Sequence, residues 1–394
     1  MLLVVTVLVA AQAPKPILID NVRIVDRPGH VIEQADVLIK NGVIADIGPS
    51  IAVEGAEKID GAGLTLYAGF VHPMARLTID GIAPTPPAPG TPVNQAARDA
   101  DPFGLGTNLL VSKRLADAKQ ASVTEFGDLA SNGYGVAHVA MDAGVVGPQT
   151  ACYSLVSPEI GPGTLFGPSL GVTVSFQTRG FSGYPSSTMG AIAIARQAFA
   201  DGGWYGRRMR RYAANPGAVE RVPFDPVLDS LSRVAAGAEY AIFNNLTESS
   251  GLQALAMVRE FGLRPILNFD RGAGALADLL GRSTVLLEGT IPPKPTVGED
   301  LSQASVNATR AYFNELAAAA ELDRRGIEFC YAPENESDPL AGIRTYVRAG
   351  LSRDVALAAM TTRPAKLLGL EARVGTVEKG KMANLVLMQG DLFD

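Results

Sequence analysis

The second half of this 394-residue chain alternates short apolar runs with longer segments of helical spacing, and that alternation restricts the fold more than any other feature. Residues 240–244, Pro265–Phe269, Thr284–Leu287 and residues 328–331 are apolar, short and bounded by polar or glycine positions. Strands buried on both faces of a parallel sheet read this way. Between them, Leu252, Leu255, Ala256 and Arg259 recur at three- and four-residue steps, and residues 303–325 form a long alanine-rich stretch. Ser352 is placed to cap a helix over Arg353–Met360, Pro364 to open a short one, and Gly202-Gly203 to end one that starts near Ser187. Strand and helix in regular turn predict βα units and a parallel sheet.

The two ends of the chain read differently. Residues 16–66 have strand character, with a tight hairpin at Asn41-Gly42, the pair whose left-handed backbone suits a two-residue turn. Residues 375–387 are again β-like. A formal charge of −6 leaves no basic footprint, so nucleic acid is not expected as a partner. The two cysteines, Cys152 and Cys330, stand far apart and exclude a disulfide framework or a cysteine-rich zinc site. The run from Leu2 to Ala11 is apolar except for Thr6, and small residues follow it. It has the form of a secretory leader over residues 1–13, is too short to span a bilayer, and lacks a positively charged start. The expected location is periplasmic or secreted, with the cytoplasm as the alternative.

The segment Leu64-Thr65-Leu66-Tyr67-Ala68-Gly69-Phe70-Val71-His72-Pro73-Met74-Ala75-Arg76 resembles the first barrel strand of the amidohydrolase superfamily. The tail Gly375-Thr376-Val377-Glu378-Lys379-Gly380-Lys381-Met382-Ala383-Asn384-Leu385-Val386 resembles that family's closing strand motif, with Asn384 in place of an Asp. The resemblance lies nearest the imidazolonepropionase-like and dihydroorotase-like branches. It implies an α/β fold: a TIM-type (β/α) barrel over residues 67–373, with a small composite β-sandwich built from residues 16–66 and 374–394. The family tail continues for a further hairpin, so the sandwich is expected to be incomplete. The resemblance also implies hydrolysis of a non-peptide carbon–nitrogen bond at zinc or another divalent metal, which acidifies a water.

Against that pattern the ligands are missing. Met74 and Arg76 stand where the family has two metal-binding histidines, and a thioether and a permanent guanidinium cation are poor partners for such a metal. The fifth and sixth strands end in Asn244-Asn245 and Asn268, where the family has histidines. Glu334 falls in the register of the family's catalytic Asp. No cofactor is therefore expected. His138, alone in an apolar run, reads as a hydrogen-bonded core residue. Gly167-Pro168-Ser169-Leu170-Gly171 and Gly272-Ala273-Gly274 mimic a nucleophile elbow and a dinucleotide loop, but neither has the required flanking elements.

Glu248, Asp270, Glu288 and Glu334 each follow closely on a predicted strand, so a parallel barrel would place them on one face. Arg76, Arg179 and Arg271 could offset their charge. If the acids converge, repulsion should hold at least one carboxyl above its ordinary pKa of about 4. Two functions stay open: a binding or scaffold module for a small-molecule ligand that has lost metal chemistry, and an active hydrolase using Glu334 at an atypical or metal-free site.

Overall fold

The computed structural model describes residues 15–77, 79, 82, 105–118, 121–122, 124–155, 159–160, 164–167, 169–177, 185–295, 305–334 and 338–394. The leader, most of the proline-rich connector at 82–102, and Arg179 lie outside the described residues. The fold divides into two compact units. One comprises the chain up to Gly69 with Ala372–Leu392, the other Phe70–Glu371.

In the smaller unit β1 (Ile17–Arg27), β2 (His30–Lys40), β3 (Val43–Gly48), β4 (Glu57–Asp60) and β5 (Leu64–Ala68) join the strand Leu385–Gln389 in one six-stranded sheet. Alternate residues Val22, Ile24, Val37, Ile44 and Leu66 turn inward to its core. Asn41 and Gly42 both take positive φ, 52° and 72°, as the hairpin requires. Only Leu385–Gln389 of the β-like tail is regular strand. The residues before it run back along the hairpin, with Ile44 N–H donating to Lys381 O and Ala383 N–H to Gly42 O, both at 2.8 Å.

The 64–76 segment is two strands, not one. β5 pairs with β1, while β6 (Phe70–Arg76) pairs with a strand of the larger unit. Gly69 separates them because nothing larger fits: a Cβ there would sit 2.2 Å from Asn384 Oδ1. Gly69 N–H donates to Asn384 O at 2.7 Å. The two end motifs therefore meet at one contact, where the C-terminal motif carries Asn in place of Asp.

Among the described residues the larger unit holds two main sheets, besides a short antiparallel pair of Ala121–Ser122 with Glu159–Ile160. In the first, β6 runs parallel to β7 (Tyr134–Ala140), which continues antiparallel to β9 (Ala151–Ser154) and β10 (Leu165–Gly167). In the second, β11 (Gly171–Val174), β12 (Tyr240–Leu246), β13 (Pro265–Phe269), β14 (Thr284–Leu287) and β15 (Phe329–Tyr331) are parallel neighbours in that order. β8 (Val146–Gln149) pairs antiparallel with β11 at the outer edge. No ladder among the described residues joins the two sheets into a closed cylinder. Met74, Ala140, Ile242, Ile266, Leu286, Cys330 and Ala332 nonetheless share one apolar cluster drawn from both sheets.

Helices cross between these strands. They are α1 (Thr124–Ser131), α2 (Thr188–Ala214), α3 (Pro226–Ala235), α4 (Glu248–Phe261), α5 (Val306–Arg324), α6 (Ala341–Arg348), α7 (Arg353–Met360) and α8 (Thr362–Leu367). Ser352 caps α7 by accepting from Val355 N–H. Gly202-Gly203 does not end its helix, which continues to Ala214. Gly202 is instead a point of close approach, since a Cβ there would lie 2.6 Å from Leu231 Cβ on α3. Tertiary packing uses glycine here for space rather than for its backbone freedom. No helix among the described residues is long and apolar enough to cross a membrane.

Candidate functional site

Side chains one step beyond the apolar layer of the larger unit are polar. Period-2 alternation along each strand puts Arg76 after Met74, Asn244 after Ile242, Asn268 after Ile266 and Glu288 after Leu286. Arg76 and Glu288 open onto a cavity of about 620 Å³, which Asp142, Asn245, Asp270 and Glu334 also line.

Arg76 organises this mouth. Its Nη2 lies 2.7 Å from Glu334 Oε1 and 3.3 Å from Glu288 Oε2, and its Nη1 lies 3.6 Å from Asp142 Oδ2 and donates to Asn245 Oδ1. Asp142 in turn accepts from Asn244 Nδ2 at 2.8 Å and Asn245 Nδ2 at 3.2 Å. Asp270 is paired with Arg271 at 2.7 Å. Glu288 is buried and accepts from Asn268 Nδ2 at 2.5 Å. Burial pushes its carboxyl up to about 7, the Arg76 charge opposing that rise and the Glu334 and Asp270 charges adding to it. The acid whose pKa rises is thus set first by desolvation and only then by crowding.

Of the four expected acids, three converge. Ligand-type oxygens of Asp270, Glu288 and Glu334 lie within 4.8 Å of one another. Glu248 does not join them: it is exposed in the first turn of α4, after the capping residue Thr247, where its charge meets the positive end of the helix. Asp142 and Glu315 were not expected. Asp142 follows β7 by two residues, the same rule that nominated the other acids, but that strand drew notice only for His138. Glu315 is buried on α5 and accepts from Gly272 N–H at 2.8 Å and Tyr346 O–H at 3.0 Å, which ties down the loop carrying Asp270 and Arg271. Burial raises its pKa as well. Its signal was legible, because Glu315, Ala318, Ala319 and Leu322 form the buried stripe of that helix.

The imidazoles are structural. His72 Nδ1 accepts from Met74 N–H at 3.2 Å and its Nε2 donates to Pro333 O at 3.1 Å, so neither nitrogen offers a lone pair. His138 Nδ1 donates to Pro73 O at 2.8 Å. Burial lowers both to about 4, so both are neutral at physiological pH. Ser169 contacts Thr150 and Gly171 and is followed by strand β11 rather than a helix, so it forms no nucleophile elbow.

The divalent metal that the resemblance implies would have to be held by these donors. The convergent set is three carboxylates with no imidazole, which suits hard cations rather than zinc. Two of those carboxylates already face a fixed guanidinium at 2.7 and 3.3 Å. A zinc centre does not fit this arrangement.

Residues 336–394 match the model of the amidohydrolase family. No curated protein is a sequence match for the chain. Among solved structures, an amidohydrolase from Thermotoga maritima MSB8 superposes with a TM-score of 0.71 at 20% identity, covering 96% of this chain and 95% of its own. A prolidase complexed with N-methylphosphonate-L-proline gives a TM-score of 0.51 at 13% identity, covering 96% and 94%. At these identities the likeness is one of α/β fold.

Proposed function

We propose that this chain is a member of the amidohydrolase superfamily, on the strength of its C-terminal sequence and its fold, and that it keeps the ligand-binding mouth of a barrel hydrolase while a tethered cation stands in for metal chemistry. The two sheets of the larger unit are then arcs of one TIM-type barrel. The bond between His72 on β6 and Pro333 just after β15 supports closure at that seam. The smaller unit, one six-stranded sheet drawn from both chain ends, then stands in the place of the composite β-sandwich.

One observation carries the functional reading. Arg76, in the register of a metal-binding histidine, places a guanidinium against Glu288, Glu334 and Asp142. A fixed cation among carboxylates supplies the electrostatic role of a metal without its open coordination sites. Carboxylates on the cavity wall outnumber guanidiniums four to two, so the ligand expected here is a small polar molecule with a cationic group.

Purified protein is expected to contain less than about one tenth of an equivalent of transition metal, because the imidazoles that select zinc are absent at the motif positions. Elemental analysis of the unmutated protein showing stoichiometric zinc or manganese would overturn this reading. A thermal-shift screen of small organic cations tests the binding function, the shift weakening in Glu334→Gln.

A second reading rests on Glu288. A carboxyl near neutrality beside Glu334 is poised for proton transfer, so metal-free hydrolysis of a carbon–nitrogen bond is the alternative. It requires a rate with a limb near pH 7, insensitive to chelators and abolished in Glu334→Gln. A flat or undetectable rate leaves the binding function alone.

The leader reading places the mature chain in the periplasm or outside the cell. Intact-mass measurement of protein recovered from the native envelope should then show residues 1–11 or 1–13 removed. A soluble cytoplasmic product retaining Met1 excludes export.

A further inference from the structure

Away from the mouth, α2 ends in an arginine cluster that no described carboxylate answers. Arg207, Arg208, Arg210 and Arg211 lie on its last two turns, the first, third and fourth exposed. Arginines on neighbouring stretches of helix do find acids: Arg196 pairs with Glu260, and Arg233 with Asp229 and Glu239. These four do not, and Arg208 Nε is buried without a partner. The helix dipole accounts for Arg211 in the last turn but fades before Arg207 and Arg208.

The guanidiniums are laid along the helix. Arg207 Nη1 lies 3.3 Å from where Gly203 would carry a Cβ, and Arg210 Nη1 lies 3.5 Å from the same point on Gly206. Glycine at these two positions clears room for the side chains to fold back along their own helix. A concavity of about 370 Å³ opens among Arg207, Arg210 and Arg211.

Apolar groups flank the charge. Trp204 shares a face with Arg207, Arg208 and Arg211 at three-, four- and seven-residue spacing, and is 48% exposed. Phe224 is 67% exposed. Tyr205 O–H donates to Pro223 O at 3.5 Å and accepts from Asp225 N–H at 3.3 Å, which fixes the chain on both sides of Phe224 to the residue next to Trp204. Three exposed arginines, with the exposed Trp204 on their helix and the exposed Phe224 on the loop held to Tyr205, are the makings of a bilayer-interface surface.

We propose that this face of α2 docks the protein on an anionic phospholipid bilayer. The net charge of −6 disfavours a polyanion that would wrap the molecule, whereas a flat membrane meets only this face. The exposed rings favour lipid over an acidic protein, because they gain by entering the headgroup layer.

Trp204 is the only tryptophan in the chain, so it reports its own insertion. With vesicles of equal parts phosphatidylglycerol and phosphatidylcholine, its emission should shift to the blue and the full chain should co-sediment. Both effects should be lost in high salt and absent with phosphatidylcholine alone. Arg207→Ala with Arg211→Ala should weaken vesicle affinity about 25-fold, about fivefold for each arginine near the surface. The unmodified protein also tests the idea directly, should the variant fold poorly. An unshifted Trp204 in anionic vesicles, or equal binding to neutral ones, overturns the proposal. Tighter binding to heparin or single-stranded RNA than to the vesicles would make this a polyanion site and also overturn it.

Discussion

Arg76→Met should extend to higher pH the range over which Glu288 costs stability, so that the variant falls further below the parent as the pH rises past 7. Glu288 has its carboxyl raised to about 7, above an unfolded value of 4.5. A raised carboxyl holds its proton more tightly in the folded state. Its contribution is therefore fully present below pH 4.5, falls as the pH climbs to about 7, and is constant beyond. Arg76 is what ends the fall at 7, since its charge opposes the rise in pKa. With methionine there, the carboxyl stays protonated to higher pH and stability drops by about 1.4 kcal/mol for each further pH unit.

Because Glu288 can escape by holding its proton, the cost of the substitution at pH 7 is modest, about 1–2 kcal/mol from the lost hydrogen bonds to Asn245 and Glu334. By pH 9 it should be larger by about 2 kcal/mol. Denaturation curves across pH 5–9 measure this. A constant difference between the variant and the parent would show that Arg76 does not compensate Glu288.

Glu288→Gln should have the opposite sign. The amide keeps the shape and the neutral form of the acid, so at pH 4.5 and below the variant and the parent should match. Above pH 7 the variant should be more stable by about 3–4 kcal/mol, the penalty of ionising a buried carboxyl raised from 4.5 to about 7. Glu334, which converges with Glu288, does not offer this effect. Its side chain is 59% exposed and sits 2.7 Å from Arg76, so neutralising it relieves little and forfeits an ion pair. Burial moves the strain to Glu288. If Glu288→Gln destabilises the protein at pH 8, or ligand affinity in the mouth is unchanged, the buried carboxyl is structural and not functional.

The chemical identities at the strand ends were legible residue by residue: Met74 and Arg76 in the first strand of the larger unit, Asn244 and Asn268 at later ones, and Glu334 after the last. The strands themselves were legible for the same local reason: runs such as Pro265–Phe269 and Thr284–Leu287 are apolar along their length because both faces are covered. Asn41-Gly42 fixed its hairpin through backbone preference alone.

Local pattern failed wherever a residue's role depended on a distant neighbour. Gly69 divides one apparent strand into two because Asn384, 315 residues away, occupies the space of its side chain. Gly202 reads as a helix stop, yet Leu231 on α3 makes it an approach point inside a longer helix. Glu248 and Glu288 look alike as acids after strands. Tertiary structure exposes the first on a helix turn and buries the second beside Arg76 and Asn268. Sequence alone determined which chemical groups this protein has and lacks, since covalent identity and short-range periodicity are local properties. Which of them meet, and which carboxyl holds a proton at neutral pH, only the tertiary structure decided, because burial and proximity are set by the packing of the whole chain.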